Sequence, residues 1–268
     1  MSVQTLYTAA TGMTALETKL DVVANNLANV STTGFKRSRA NFEDLFYRQL
    51  KLPGTPDAQQ NLTPTGIHVG LGARVQSTQT DFGQGALITT NNPLDVAISG
   101  PGFFQVIDPS TGGFMYTRAG NFSINANGQL VVGSAQIGRI IQPAITIPQD
   151  ATAISIGADG QVLVQQPGNN QLQQLGQIQL AKFINPEGLL HMGENMYTET
   201  LASGTANLNI PGLQGVGTIQ QSNLEQSNVE PMRELVDMIT TQRAFELNSQ
   251  AIQAGDQLLQ TVTNLRRF

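Results

Sequence analysis

Two histidines, His68 and His191, are the only imidazoles in the 268-residue chain, and cysteine is absent. With serine and aspartate available, the chemistry such residues would support is acyl transfer by a triad. The sequence contains no Gly-x-Ser-x-Gly elbow, no His-Glu-x-x-His and no Gly-x-x-x-x-Gly-Lys. Both histidines fall in connector or turn contexts and are read as surface or packing residues, so no catalytic residue is assigned. Without thiolates there is no disulfide framework and no cysteine zinc site, and no metal or other cofactor is expected. Ser123-x-Asn125-x-Asn127-Gly128 imitates the opening of a calcium loop. Its twelfth position is Ser134 where a bidentate Glu is needed, and its flanks read as strands, so it is read as a hairpin turn. The basic runs are Lys36-Arg37-x-Arg39 and Arg266-Arg267. In a chain of net charge −5 they are read as solvated, inter-subunit or helix C-terminal charges, and nucleic-acid binding is not expected.

What must position these residues is an unusual chain. Only 12% of residues are charged, whereas asparagine (20) and glutamine (29) are abundant. Such a surface of uncharged amides suits repeated tight interfaces better than free solvation. Length suggests about two domains. No run of about 18 apolar residues occurs, so no membrane-spanning segment is expected, and the start of the chain, with no basic residue before Lys19, does not read as a cleaved signal.

Leu6, Ala9, Met13, Leu16, Leu20, Val23, Leu27 and Val30 are spaced alternately three and four apart. This heptad stripe predicts a helix over residues 3 to 29, about 40 Å long, ended by Ser31-Thr32-Thr33-Gly34. Thr14, Thr18, Asp21, Asn25 and Asn26 form its other face. A second helix is expected to begin after Ser227-Asn228-Val229-Glu230-Pro231, with Ser227 and Glu230 at capping-box spacing, and to reach about residue 266. In it Met238, Phe245, Ile252 and Leu259 recur every seven residues, beside Ala244, Ala251, Leu258 and Leu265. An antiparallel helix pair inside one monomer satisfies both stripes. The lack of further helices to complete a bundle favours self-assembly instead.

Between the helices the apolar period changes to two. Leu94–Ile98, Phe103–Ile107, Ile137–Ile147 and Ile178–Leu180 read as strands. Residues 123–132 and 155–164 are near copies, each with Asn-Gly or Asp-Gly between alternating apolar residues, a strong hairpin signal. The expected fold class is therefore α+β: long terminal helices pairing as a coiled coil, a central all-β domain and extended connectors. Residues 1–47 with 220–268 are assigned to the helical region, 48–90 with 200–219 to connectors, and 91–199 to the β domain.

The segment from Ala24 to Lys36, Ala-Asn-Asn-Leu-Ala-Asn-Val-Ser-Thr-Thr-Gly-Phe-Lys, resembles the N-terminal signature of bacterial flagellar rod and hook axial proteins. Asn25, Asn26, Asn29, Gly34 and Phe35 carry that motif. Ser227 to Glu230 with Glu234 to Glu246 resembles the C-terminal signature of the same family, and Gly100-Pro101-Gly102-Phe103-Phe104 and Tyr116-Thr117-Arg118-Ala119-Gly120 resemble its middle. A proline between Gly100 and Gly102 departs from the usual pattern. Chain length and the segment from Asn41 to Gly72 resemble the distal-rod members most closely.

The resemblance implies a non-enzymatic structural subunit, exported by the flagellar apparatus without a cleaved signal peptide. It would polymerise into the hollow rod that crosses the periplasm and transmits torque from motor to hook. Implied partners are copies of itself in an open helical polymer, proximal rod proteins, hook protein, the surrounding P and L ring proteins and the export apparatus. Leu6, Met13, Leu16, Leu20, Val23, Leu27, Met238, Phe245, Ile252 and Leu259 are the expected assembly residues. Pro53, Pro56 and Pro64 are expected to stiffen a connector that braces neighbouring subunits. The alternative is a secreted β-rich adhesin or tail-like binding module oligomerised by its helices.

Overall fold

The computed structural model describes residues 3–56, 62, 64–109, 112–133, 138–168 and 171–265. Ser134, Ile137 and the Arg266-Arg267 run lie outside them. The chain forms two compact units: residues 1–27, 38–79 and 230–268 in the first, 28–37 and 80–229 in the second.

The first unit contains helix α1 (Val3–Ala28), strands β1 (Ser38–Asp44), β2 (Tyr47–Lys51), β3 (Ile67–Gly70) and β4 (Ala73–Thr80), and helix α2 (Pro231–Leu265). Every member of the α1 stripe from Leu6 to Val30 is buried or half-buried, as the period requires. Asn26, read as part of the other face, is buried. The helices approach each other at three levels. A Cβ added to Gly255 would lie 2.6 Å from Leu6 Cδ2, and one added to Gly12 would lie 3.3 Å from Asn248 Nδ2. Asn26 Nδ2 donates to Glu234 Oε2 at 3.2 Å. Ascending α1 thus descends α2, so the helices run antiparallel.

The buried and half-buried face of α2 is Glu234, Met238, Thr241, Phe245, Asn248, Ile252, Gly255 and Leu259, again spaced four and three. The companions of the apolar stripe are therefore small or polar residues, while Ala251 and Leu258, read as a neighbouring apolar stripe, are exposed. Ser227 does not cap α2. Its Oγ accepts from Val229 N at 3.3 Å, a local turn, because Pro231 opens the helix and the first intrahelical bond runs from Glu234 N to Glu230 O.

β1 pairs with β4, and β2 with β3. The segment read as an extended connector is thus an antiparallel ladder, Tyr47 opposite Gly70 and Gln49 opposite His68. At the corner between β3 and β4, Gly72 has φ +123°, and a Cβ there would fall 2.1 Å from Thr11 Oγ1. Only glycine lets this corner meet α1.

The second unit holds sixteen strands among the described residues: β5 (Leu87–Thr89), β6 (Val96–Ser99), β7 (Phe103–Ile107), β8 (Phe114–Thr117), β9 (Phe122–Ile124), β10 (Leu130–Gly133), β11 (Gly138–Gln142), β12 (Ala153–Ile156), β13 (Gln161–Gln165), β14 (Gln173–Gln177), β15 (Leu180–Lys182), β16 (Leu190–Gly193), β17 (Met196–Thr198), β18 (Asn207–Asn209), β19 (Thr218–Gln221) and β20 (Asn223–Glu225). Its largest sheet has the order β16-β17-β8-β7-β11-β10-β9, with β15 joining β7 and β18. Residues 80–90 and 200–219, read as connectors, and 220–229, assigned to the helical region, belong here, because β19 pairs with β6 and β20 with β5. Val96, Phe104, Val106, Leu130, Ile141 and Leu180 are among its fully buried core residues.

The two near-copy segments form the β9–β10 and β12–β13 hairpins. Gly128 and Gly160 take φ +80° and +82° at their turns. Asn125 Oδ1 accepts from the backbone of Asn127 and Gln129, so the apparent calcium ligand caps its own turn.

Candidate functional site

The family-like segment 24–36 leaves α1 and turns back toward the strands. Asn26 anchors this exit within the first unit, its Nδ2 donating to Ser38 O at 2.8 Å and its Oδ1 accepting from Ser38 N at 2.9 Å. One buried amide thereby fixes α1 to the start of β1 and, through Glu234, to α2. Glu234 is wholly buried. The signal for it was its place seven residues before Thr241, on the stripe that faces α1.

Within the second unit the same segment forms a tight turn. Thr32 N donates to Asn29 O and Thr32 Oγ1 to Asn29 Oδ1, both at 3.1 Å. Gly34 takes φ +70°, donates its N–H to Glu225 O at 2.8 Å, and leaves only 2.8 Å between a would-be Cβ and the backbone of Arg118 and Ala119. A side chain at residue 34 has no room, and half-buried Phe35 follows directly.

Lys36 overturns its reading as a solvated or inter-subunit charge. Its side chain is fully buried, and Nζ donates to Glu225 Oε1 at 2.6 Å and to Gly83 O at 2.7 Å. The carboxylate accepts further from Gly85 N at 2.9 Å and from Arg118 Nη1 at 3.4 Å. Arg118 also donates to Gly100 O at 2.9 Å, and its guanidinium lies 5.2 Å from the Phe103 ring centre, a cation–π distance. Burial lowers the pKa of both Lys36 and Arg118, and Glu225 opposes the shift in each. The carboxylate thus holds two cations and one backbone amide, and with the Glu225 carbonyl, which accepts from Gly34 N, it ties residues 34–36, 83–85 and 118 to β20. Glu225 and Arg118 were missed because the partners are separated by 189 and 107 residues along the chain. Arg39, the other end of the basic run, is exposed and donates to Gln79 Oε1.

The remaining expected residues divide clearly. Leu6, Met13, Leu16, Leu20, Leu27, Met238, Phe245, Ile252 and Leu259 are half-buried and Val23 is buried, all on the facing sides of α1 and α2. Asn25 is exposed. Pro53 lies in the turn after β2, Pro56 pairs with Leu62 in an isolated bridge, and Pro64 precedes β3. His68 is exposed on β3, and His191 on β16 shares a hydrogen bond with Thr80 Oγ1 at 2.9 Å. Among the described residues no group of acidic or histidine side chains is placed to hold a metal, and no helix is long and apolar enough to cross a membrane.

Residues 6–36 match the family model of flagella basal body rod proteins. Residues 97–164 match the flagellar hook protein FlgE/F/G D1 domain, and residues 220–265 the flagellar basal body rod FlgEFG protein C-terminal model. The flagellar basal-body rod protein FlgG of Caulobacter vibrioides is 46% identical over 264 residues, covering 98% of this chain and 99% of that protein. FlgG of Buchnera aphidicola subsp. Baizongia pistaciae is 45% identical over 260 residues, 97% of this chain and 98% of its own. The flagellar hook-basal body complex protein FlhP of Bacillus subtilis is 30% identical over 278 residues, at 98% and 99% coverage. With all three models matched in order and near-complete coverage at this identity, the chain belongs to the FlgG family of flagellar basal-body rod proteins.

Proposed function

We propose that this protein builds the distal part of the rod as an open helical tube that carries torque from the motor to the hook, with α1 and α2 supercoiled as its inner wall. The observation that carries the reading is the second apolar face of α2. Met232, Leu235, Val236, Ile239, Leu247 and Leu258 are exposed. At 3.6 residues per turn they fall on the side opposite the stripe that faces α1. An uncovered apolar stripe on a long helix is a surface for another chain. Head-to-tail contacts that do not close on themselves generate a filament. The sparse charge of the chain suits such repetition, since like copies meet without repulsion.

In this reading the partners are further copies of the chain, the proximal rod and hook subunits at the two ends, and the P and L rings around the shaft. The export apparatus delivers the chain across the inner membrane without cleaving it. The junction around Glu225 sets how the second unit starts and ends, and the β2–β3 arm, with Pro53, Pro56 and Pro64 at its tip, braces adjacent copies against bending. No chemistry is assigned to any side chain, and the protein acts as a structural part. Raising the concentration of purified protein and viewing it by electron microscopy tests this: filaments of unlimited length are expected, and a closed oligomer of fixed mass contradicts it.

A further inference from the structure

On the second unit, a cavity of 370 Å³ is lined by Phe82, Phe103 and Phe183, by Pro101, and by Arg118 and Lys182. The Phe82 and Phe183 rings stand edge-on to Phe103 at 5.4 and 5.7 Å. Gly100 and Gly102, at φ +110° and +141°, turn the chain tightly around Pro101 at the cavity wall. The side chain of Lys182 donates only to the carbonyls of Gln214 and Gly215, at 3.4 and 3.1 Å, and makes no ion pair among the described residues. The buried cluster behind it holds two cations, Lys36 and Arg118, on one carboxylate. An aromatic cleft with excess positive charge at its wall accepts an aromatic ring accompanied by a carboxylate.

The first unit presents such a group. Phe46, at the corner between β1 and β2, is 89% exposed. Its backbone is pinned, with Phe46 O accepting from Leu71 N at 3.1 Å and Leu45 N donating to Gly72 O at 2.9 Å. Asp44, two residues earlier, supplies the carboxylate and, beside the Tyr47 hydroxyl, raises its pKa. In the arm that follows, Tyr47, Leu50, Leu52, Ile67 and Val69 are exposed, and a lone two-stranded ladder is marginal without cover.

We infer that Phe46 of one copy inserts into the Phe82–Phe103–Phe183 cavity of a second copy, with Asp44 facing Lys182. The inference rests on the rod reading and deepens it by naming where the brace lands. Knob and cavity are different surfaces of the chain, so the contact can be heterologous, and where its rotation does not close it propagates into a filament.

Because the chain has no cysteine, introduced thiols report the contact cleanly. Full-length Tyr47→Cys and Pro186→Cys proteins are mixed at a concentration where the unsubstituted protein forms filaments, then oxidised mildly. A covalent dimer is expected in the mixture and not with either variant alone. Adding Phe46→Ser to the first variant should lower its yield about tenfold. Lys182→Glu should weaken it, and Asp44→Lys in the partner should restore it. Filaments without the cross-link overturn the inference and leave the rod reading standing. A cross-link within single molecules of the double variant below the assembly concentration also overturns it, since the cavity would then be filled by its own arm. Failure of the unsubstituted protein to form filaments removes the rod reading and this inference together.

Discussion

Replacing Glu225 by glutamine removes one negative charge from a site where the Lys36, Glu225 and Arg118 side chains are all buried. The carboxylate holds Lys36 at 2.6 Å, Gly85 N at 2.9 Å and Arg118 at 3.4 Å, and the Lys36 and Glu225 side chains are fully buried. Glutamine retains one acceptor oxygen, so some hydrogen bonding survives, but the two cations lose their counter-charge. Breaking a buried pair by removing one partner costs about 3–5 kcal/mol, against a total stability of about 5–15 kcal/mol for a domain. The loss should appear as a lower urea midpoint and as faster amide exchange in β7 and β8, which lie at the centre of the second unit. Lys36→Met leaves Glu225 with Arg118 and the Gly85 amide and should cost less. The double variant should cost less than the sum of the two, because both singles break the same pair. A Glu225→Gln loss below about 1 kcal/mol, or strictly additive singles, would refute the view that this carboxylate locks the junction.

Leu20→Asp or Leu259→Asp places a charge on the half-buried face between α1 and α2; an unpaired charge there costs several kcal/mol. Motility and rod assembly should be lost while amide exchange in β7 and β8 stays slow, and unfolding of those strands as well would contradict the division of roles. Deleting residues 52–66 removes the tip of the β2–β3 arm and should leave a filament that bends; an unchanged persistence length places the stiffness elsewhere. Burial raises the pKa of Tyr197 and Tyr116. The unfolded chain releases those protons near pH 10 while the folded one keeps them, so their contribution is fully present below about pH 10 and is lost as pH rises beyond it. Urea midpoints measured upward from pH 9 should therefore fall, and fall less steeply in Tyr197→Phe; an equal slope in that variant would show that Tyr197 does not contribute.

The parts legible in the sequence were those set by neighbours along the chain. The three-four stripe placed α1 to within a residue, and Asn127-Gly128 and Asp159-Gly160 marked two real hairpins. What escaped was set by distant contacts. Lys36 looked like a surface charge because nothing near it in sequence is acidic, and its partner Glu225 lies on β20. Asn26 reads as part of the other face of α1, away from its apolar stripe, yet it bridges Ser38 and Glu234. On α2 the eye follows the apolar residues Ala251 and Leu258, whereas the buried companions are Glu234, Thr241 and Gly255; close helix approach selects small or paired residues over large apolar ones. Ser227 and Glu230 have cap spacing, but Pro231 fixed the first helical position after both. The segments at 80–90 and 200–226 lack strong alternation because their strands are short; β5 pairs with β20, β18 with β15 and β19 with β6, so only pairing reveals them.

An open tube with the helices innermost would be visible in a helical reconstruction from electron micrographs of filaments grown from the purified full-length chain. Straight hollow filaments of variable length are expected, in which α1 and α2 line the channel and the Met232, Val236 and Ile239 face of α2 is covered by a neighbouring copy. Filaments with those helices on the outer surface, or particles of one fixed mass, would contradict it.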